Sequence, residues 1–276
     1  MRLARSAPST TRRQTEVHLT SVDDAAWASP WRRRRVGEKA LLSLGLVLTA
    51  LLAPTWPGTV LVGLAALAAI LGPARIRPAV LAGVMAAPSA FILVGAASVA
   101  VGVGSPVAES HLLWRWGPFS LGRDGLLRAA GLLGHGIAGA LALMVLATTT
   151  PMVDLITWGR RWRIPDPLLE VAALTYRLLW VLLATTVGIR QAQAARLGDA
   201  APLRRRMEAA GNAVGAVLVR SWNQARRLEE GLAGRGYESS LTTLSVQRPA
   251  SPRFLLATAA ALATIWALVW AVVGHG

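Results

Sequence analysis

Long apolar runs separated by arginine-rich joints dominate this sequence. The apolar segments cover about 40–54, 57–73, 79–103, 126–149, 168–189 and 254–273. Runs of about 20 apolar residues are long enough to cross the hydrocarbon core of a bilayer as helices. Hydrophobic residues make up 54% of the 276 residues, a larger share than soluble domains usually have. The sequence therefore predicts an all-α integral membrane protein.

The strong positive charge points to membrane topology. The formal net charge is +15, and Lys39 is the only lysine among the basic residues. Lys and Arg accumulate on the cytoplasmic side of membrane proteins. Basic stretches with tryptophan can also bind nucleic acid, but here they lie at the edges of the apolar segments, so we expect no nucleic acid partner. The sequence has no cysteine, which excludes disulfides, thiolate metal sites and a cysteine nucleophile.

Four regions follow from these patterns. Residues 1–36 predict a basic cytoplasmic tail that ends in the run Arg32–Arg35. Residues 37–149 predict four transmembrane helices, with an outer loop over 104–125. Residues 150–250 predict a basic cytoplasmic helical block, and residues 251–276 predict the last transmembrane helix.

The segment 168–189 is long enough to span, but its charges oppose a crossing. A crossing would place the basic stretch 190–235 outside the cell, against the positive-inside bias. Glu170 and Arg177 would each cost roughly 2–3 kcal/mol deep in the bilayer. We therefore expect five spanning helices, with 168–189 lying along the inner leaflet or against partner helices. Six spanning helices are the alternative.

Two long helices are predicted within the block. Asp166 and Pro167 suit a helix start, and Gly198 suits its end. Pro202 opens the second helix, which ends at Gly234-Arg235-Gly236. Its apolar residues recur at three- and four-residue steps and predict a single stripe: Met207, Ala210, Val214, Val217, Leu218, Ala225, Leu228 and Leu232. Arginines lie broadly opposite this stripe: Arg205, Arg220, Arg226 and Arg227.

Three stretches resemble the T component of energy-coupling-factor (ECF) transporters. The C-terminal signature of that family is matched by RSWNQARRLEEGLAGRGYESSL. Its middle region is matched by TTTPMVDLITWGRRWRIPDPLLEVAALTYRLLW, with a Thr-rich helix end, an Arg-rich turn and a Tyr-Arg pair. Similarity to the cobalt-specific branch, CbiQ, is carried by SVDDAAWASPWRRRRVGEKALL. The resemblance covers nearly the whole chain.

The resemblance implies two coupling sites. Members of the family carry Ala-Arg-small tripeptides at the ends of two cytoplasmic coupling helices. The first corresponds here to Ala195-Arg196-Leu197 and the second to Gly234-Arg235-Gly236, so that Leu197 replaces a small residue and Gly234 replaces alanine. Each tip arginine is expected to meet acidic residues of an ATPase subunit.

The resemblance also implies the partners and the cellular location. It implies a multi-pass, non-catalytic subunit of the cell membrane with a cytoplasmic N-terminus. Its expected partners are ATP-binding cassette ATPases, a substrate-binding S component of the CbiM/CbiN type and the lipid bilayer. No cofactor is expected in this chain, because the partner ATPases hydrolyse ATP. No metal site is expected either, because the S component would bind the transported ion. Cobalt is the expected substrate, with nickel or a vitamin as alternatives. A self-contained channel or carrier is the rival function, although the apolar segments contain few polar residues that would line a pore.

Other candidate residues favour structural roles. The histidines are scattered without metal-ligand spacing: His18, His111, His135 and His275. His135 lies inside the fourth apolar segment, where we expect a structural hydrogen bond, with a metal way-station as the alternative. Four tryptophans are expected to anchor at the membrane interface: Trp56, Trp114, Trp116 and Trp158. Glu229 and Glu230 are expected to pair on the helix surface with Arg226 and Arg227.

Overall fold

The computed structural model describes residues 22–53, 56–103, 112–116, 119–195, 202–236 and 250–274. Within them the chain is helical apart from three short strands and the connecting turns, which confirms the predicted all-α fold class. A short helix α1 covers 22–28, and the longer helices are α2 Val36–Leu52, α3 Trp56–Leu71, α4 Pro78–Ala100, α5 Arg123–Ala147, α6 Met152–Gly159, α7 Asp166–Ala195, α8 Leu203–Ala233 and α9 Pro252–Gly274. Two 3-10 turns cover Pro30–Arg33 and Arg160–Trp162.

Four of these helices are long and apolar enough to cross a membrane. They are α4, α5, α7 and, over Pro252–Ala271, α9. The helix α2 has 17 residues, at the short end of the spanning range, and α3 has 16, just below it. Because α7 qualifies by length and composition, its predicted position outside the bilayer depends on charge alone.

The expectation of a loop over 104–125 is wrong for the described part of that stretch. Three short strands form an antiparallel sheet in the order β1-β3-β2: β1 Val101–Val103, β2 Leu112–Trp116 and β3 Phe119–Gly122. The third apolar segment accordingly leaves the helical conformation after Ala100, and α5 begins directly after β3. Valine, tryptophan and phenylalanine favour pleated structure, and this preference explains the strands.

The chain divides into two compact units. The first, here named the bundle unit, comprises residues 1–151 and 247–276, and the second, the inserted unit, comprises 152–246. In the bundle unit α5 packs against α2, α3 and α4, while α9 packs against α2 and α3. The inserted unit contains α6, α7 and α8, with α7 contacting both neighbours.

The core of the bundle unit is built from small and branched residues at helical spacing. Val62, Ala66 and Ile70 on α3 are fully buried, one turn apart. Ala138 and Ala142 on α5 belong to the same cluster. Alanines at such contacts allow helix backbones to approach closely, which matters because van der Waals packing drives helix association in lipid.

Candidate functional site

The inserted unit begins with a helix-turn-helix. Arg160 pairs with Asp166 at 3.5 Å, joining the 3-10 turn to the start of α7. Leu169 is buried against Gly159, where an added Cβ would lie 2.9 Å from the leucine Cδ2. The predicted helix start at Asp166 is confirmed, and α7 continues for 30 residues.

The helices α7 and α8 pack along part of their length. The Gln193 side-chain amide donates to the Ala209 carbonyl at 3.2 Å near the end of α7. Farther along, a cleft of about 330 Å³ lies between the two helices. Leucines 178 and 182 of α7 line it, together with Trp222, Arg220 and Arg227 of α8. The long helices α7 and α8 therefore form a packed pair.

The first predicted tip is only partly described. Ala195 is the last residue of α7 and is exposed. Arg196 and Leu197 lie outside the described residues. Their coupling role therefore stays a prediction.

The second predicted tip is a tight, exposed turn. Gly234 ends α8, and its amide donates to the Glu230 carbonyl at 3.0 Å. The amides of Arg235 and Gly236 donate to the Leu232 and Ala233 carbonyls at 3.0 and 3.1 Å. Gly236 has φ +72°, a left-handed conformation that glycine adopts without a Cβ clash. The turn thus satisfies the last helical carbonyls and leaves Arg235 exposed.

The Arg235 guanidinium has no carboxylate within ion-pair distance among the described residues. Other arginines of α8 do have local partners. Arg204 pairs with Glu208 at 3.2 Å, and Arg226 pairs with Glu230 at 3.7 Å, which confirms one predicted pair. Arg227 instead donates to the Gln224 side-chain oxygen at 3.3 Å. Arg235 is therefore an exposed cation at the end of α8 that forms no ion pair within the part of the chain that the structure describes.

The predicted apolar stripe of α8 divides into two parts. Val217, Leu228 and Leu232 are half-buried. By contrast, Met207, Val214 and Leu218 remain 68%, 70% and 68% exposed. The resemblance implies that the stripe packs both within the chain and against the S component. The half-buried part packs within the inserted unit, and the contact of the exposed part with an S component stays a prediction.

His135 makes two backbone contacts within the bundle unit. Its Nδ1 lies 2.8 Å from the Gly131 carbonyl oxygen and its Nε2 lies 3.2 Å from the Ala53 carbonyl oxygen. A neutral imidazole donates through one nitrogen only, so one of these contacts is a hydrogen bond at any time. No group of three metal-ligating side chains occurs among the residues that the structure describes. These contacts agree with the predicted structural hydrogen bond.

Two of the four tryptophans predicted to anchor at the membrane interface have side chains that the structure describes. Trp56 is exposed at the start of α3. Trp158 packs edge-on against Trp162 with ring centroids 5.3 Å apart. The side chains of Trp114 and Trp116 lie outside the part that the structure describes, so their role stays a prediction.

Sequence reasoning missed two charged residues buried in the bundle unit. Glu38 and Lys39, adjacent in the first turn of α2, are 4% and 0% exposed. Lys39 Nζ donates to the Thr149 carbonyl at 2.8 Å, and Glu38 Oε1 accepts from the Ser251 amide at 2.6 Å. The available signal was a lone lysine beside an acid at the edge of an apolar run, among basic residues that are otherwise all arginine.

Comparison with known proteins gives one consistent result. The family described as CbiQ, cobalt transport protein, matches residues 28–244. The cobalt transport protein CbiQ of Rhodobacter capsulatus is 36% identical over 239 residues, which cover 87% of this chain and 93% of that protein. The protein of the same name from Salmonella typhimurium is 30% identical over 186 residues, which cover 65% of this chain and 80% of that protein.

A third relative is longer. The putative fused cobalt transport protein CbiMQ of Methanocorpusculum labreanum is 23% identical over 253 residues, which cover 91% of this chain and 42% of that protein. The family match extends through α8 and its tip. It confirms the resemblance to the cobalt branch that the N-terminal stretch indicated. The chain belongs to the CbiQ family of cobalt transport proteins.

Proposed function

We propose that this chain is the T component of an ECF-type cobalt importer. It would transmit the motion of two ATPases to a substrate-binding membrane subunit. The observation that carries the proposal is Arg235, exposed in a glycine-flanked turn at the end of a long helix and without an ion-pair partner among the described residues. Arg196 would form the second contact at the end of α7.

The chemistry of a tip arginine suits a moving protein contact. A guanidinium keeps its charge when it is desolvated and binds a carboxylate through two parallel hydrogen bonds. Gly234 and Gly236 have no side chains, so an ATPase surface can approach the Arg235 backbone closely. Removing one partner of a desolvated charge pair costs about 2–5 kcal/mol, enough for the tip to follow its ATPase during closure on ATP.

The proposal requires the inserted unit to face the cytoplasm. Positive-inside bias supports this orientation, because arginines recur along α8. The N-terminus would then also be cytoplasmic, and 168–189 would lie along the inner leaflet or against a partner helix. Residues 37–149 would supply four spanning helices, and residues 251–276 would supply the fifth.

The substrate and membrane partner follow from the relatives. Cobalt transport proteins of the CbiQ type support cobalt as the transported ion. The fused CbiMQ relative supports a CbiM-type S component as the membrane partner, because fusion keeps two cooperating chains together. The exposed part of the α8 stripe, Met207, Val214 and Leu218, offers that subunit an apolar surface.

The test reverses both tip charges. Arg196→Glu combined with Arg235→Glu should weaken ATPase binding at least about 30-fold in Kd and abolish cobalt uptake, while the chain still inserts. The matched control is Arg205→Glu combined with Arg226→Glu, which makes the same charge change on α8 away from the tips. ATPase co-purification and cobalt uptake are measured in membranes. Retained uptake by the tip variant would contradict the proposal.

A further inference from the structure

The boundaries of the inserted unit lie next to two buried charges of α2. The chain leaves the bundle unit after Pro151 and returns at Gln247. Thr149 precedes the first boundary by two residues, and Ser251 follows the second by four. Lys39 bonds to Thr149 and Glu38 bonds to Ser251. Consecutive residues of one helical turn therefore bind the two bundle-unit residues that flank the inserted unit on either side.

Lys39 satisfies the end of α5. The Thr149 carbonyl lies past the last helical turn, where helix carbonyls lack partners within the helix. The hydroxyls of Thr148 and Thr149 donate back to the Met144 and Val145 carbonyls at 2.7 and 2.6 Å, which fixes the turn. The ammonium group also lies at the negative end of the helix dipole. The exit point of the chain is thus held by a charged hydrogen bond.

Glu38, on α2, binds the start of α9, as Lys39 binds the end of α5. Ser251 immediately precedes Pro252, the first residue of that helix. Its amide donates to the Glu38 carboxylate at 2.6 Å. A carboxylate is favoured at the positive end of a helix dipole, as an ammonium group is at the negative end. The acid and the base are therefore each placed at the helix end that suits their charge.

A stabilising role alone would not require this placement. Burying a charged group is costly even when it is hydrogen-bonded, and an apolar residue often stabilises as well. Elsewhere α2 is held to α5 by a neutral contact, in which the Ser43 hydroxyl donates to the Ala142 carbonyl at 2.7 Å. The two buried charges of α2 are those that bind the residues next to the boundaries of the inserted unit.

We propose that Glu38 and Lys39 are positioning residues that tie to α2 the two bundle-unit residues flanking the inserted unit, Thr149 and Ser251. Displacement of the inserted unit by the ATPases then reaches α2 and the helices packed on it. The inference rests on the proposed coupling function and names the point in the bundle unit that receives the motion. Without these bonds, ATP hydrolysis continues but less of the displacement reaches α2.

The test measures uptake and hydrolysis together. Complexes of the chain with its ATPases and S component are reconstituted in vesicles, and cobalt uptake is divided by ATP hydrolysed. Lys39→Met and Glu38→Met each remove one bond and keep a side chain of similar length. Each should lower this ratio by about 5- to 150-fold, the range typical of coupling between two sites, with ATPase binding retained.

Two control variants separate coupling from stability. Glu38→Gln keeps an acceptor for the Ser251 amide and should retain most of the ratio, so a ratio as low as that expected for Glu38→Met would also overturn the inference. Ser43→Ala removes the buried bond to Ala142 away from the boundaries and should leave the ratio at the wild-type value. A ratio unchanged in Glu38→Met, or lowered equally in Ser43→Ala, would overturn the inference.

The same preparation separates this inference from the proposed function. If the wild-type chain does not retain ATPases, the T-component function fails and the inference fails with it. If the ATPases are retained and both methionine variants couple normally, the function stands and only the role of Glu38 and Lys39 is wrong.

Discussion

The bundle unit and the inserted unit use apolar residues in different ways. In the bundle unit Val62, Ala66 and Ile70 are fully buried against neighbouring helices. In the described part of the inserted unit, α8 has no buried residue and α7 has only Leu169. One unit therefore has a core of its own, whereas the other leaves most of its apolar surface open.

The surroundings of the exposed residues differ as well. Phe91 and Val94 of α4 are 81% and 70% exposed, but α4 has no charged residue and lipid can cover it. On α8 the exposed Val214 and Leu218 share a helix with arginines and glutamates. Contiguous apolar surface bordered by charge is typical of a protein or membrane-surface contact. The exposed apolar surface of α4 therefore suits lipid, whereas that of α8 suits the partner contact proposed above.

The largest expected contrast comes from one substitution made in both units. Leu46→Ala in α2 should lower the free energy of unfolding by about 2–5 kcal/mol, because Leu46 is buried and a cavity remains. Leu218→Ala in α8 should change it by less than about 0.5 kcal/mol and should instead weaken assembly with partners. Denaturant titration in detergent measures both values. Equal losses would show that the two units share one kind of core.

A second pair of substitutions should change stability in opposite directions in the two units. A Cβ at Gly125 would lie 2.8 Å from the Ala100 carbonyl oxygen, so Gly125→Ala should destabilise the bundle by about 1–3 kcal/mol. A Cβ at Gly215 meets no described atom within 4 Å, so Gly215→Ala should stabilise α8 by up to about 1 kcal/mol through helix propensity. Thermal unfolding in detergent checks the two signs. A destabilising Gly215→Ala would indicate that α8 is closely packed there.

The smallest contrast concerns single hydroxyls. Ser43→Ala removes a buried bond between α2 and α5 and should cost about 0.6 kcal/mol, the mean for such contacts in membranes. Ser221→Ala removes only an exposed bond to the Leu218 carbonyl within α8 and should be nearly neutral. Hydrogen exchange of the α2 and α8 amides measures the two effects separately. A larger rise in exchange rate, relative to the unmodified chain, in α8 after Ser221→Ala than in α2 after Ser43→Ala would reverse the proposed ranking.

The sequence predicted the helices well because hydropathy reports directly on them. The start of α7 at Asp166 and the end of α8 at Gly234 were both visible as capping signals. The strands were missed because three to five residues give too short a pattern to separate from a loop. The bonds of Glu38 and Lys39 were missed because they join residues more than 100 positions apart, which no local pattern encodes.

The candidate site was predicted only in part from local pattern. Glycines around Arg235 indicated a tight tip, and the structure has one, with Gly236 in the left-handed region. Which residues of the α8 stripe stay exposed could not be assigned from the sequence, because periodicity shows which residues share a face and not how wide the covering helix is.

The central claim is that the inserted unit faces the cytoplasm, where ATPases can reach it. Because the chain has no cysteine, Gly231→Cys on exposed α8 provides a single label site, and Ser105→Cys in the predicted outer loop provides the control. A membrane-impermeant maleimide is added to intact and to permeabilised cells. The account predicts that the Gly231→Cys variant is labelled only after permeabilisation and the Ser105→Cys variant in both cases. Labelling of the Gly231→Cys variant in intact cells would contradict it.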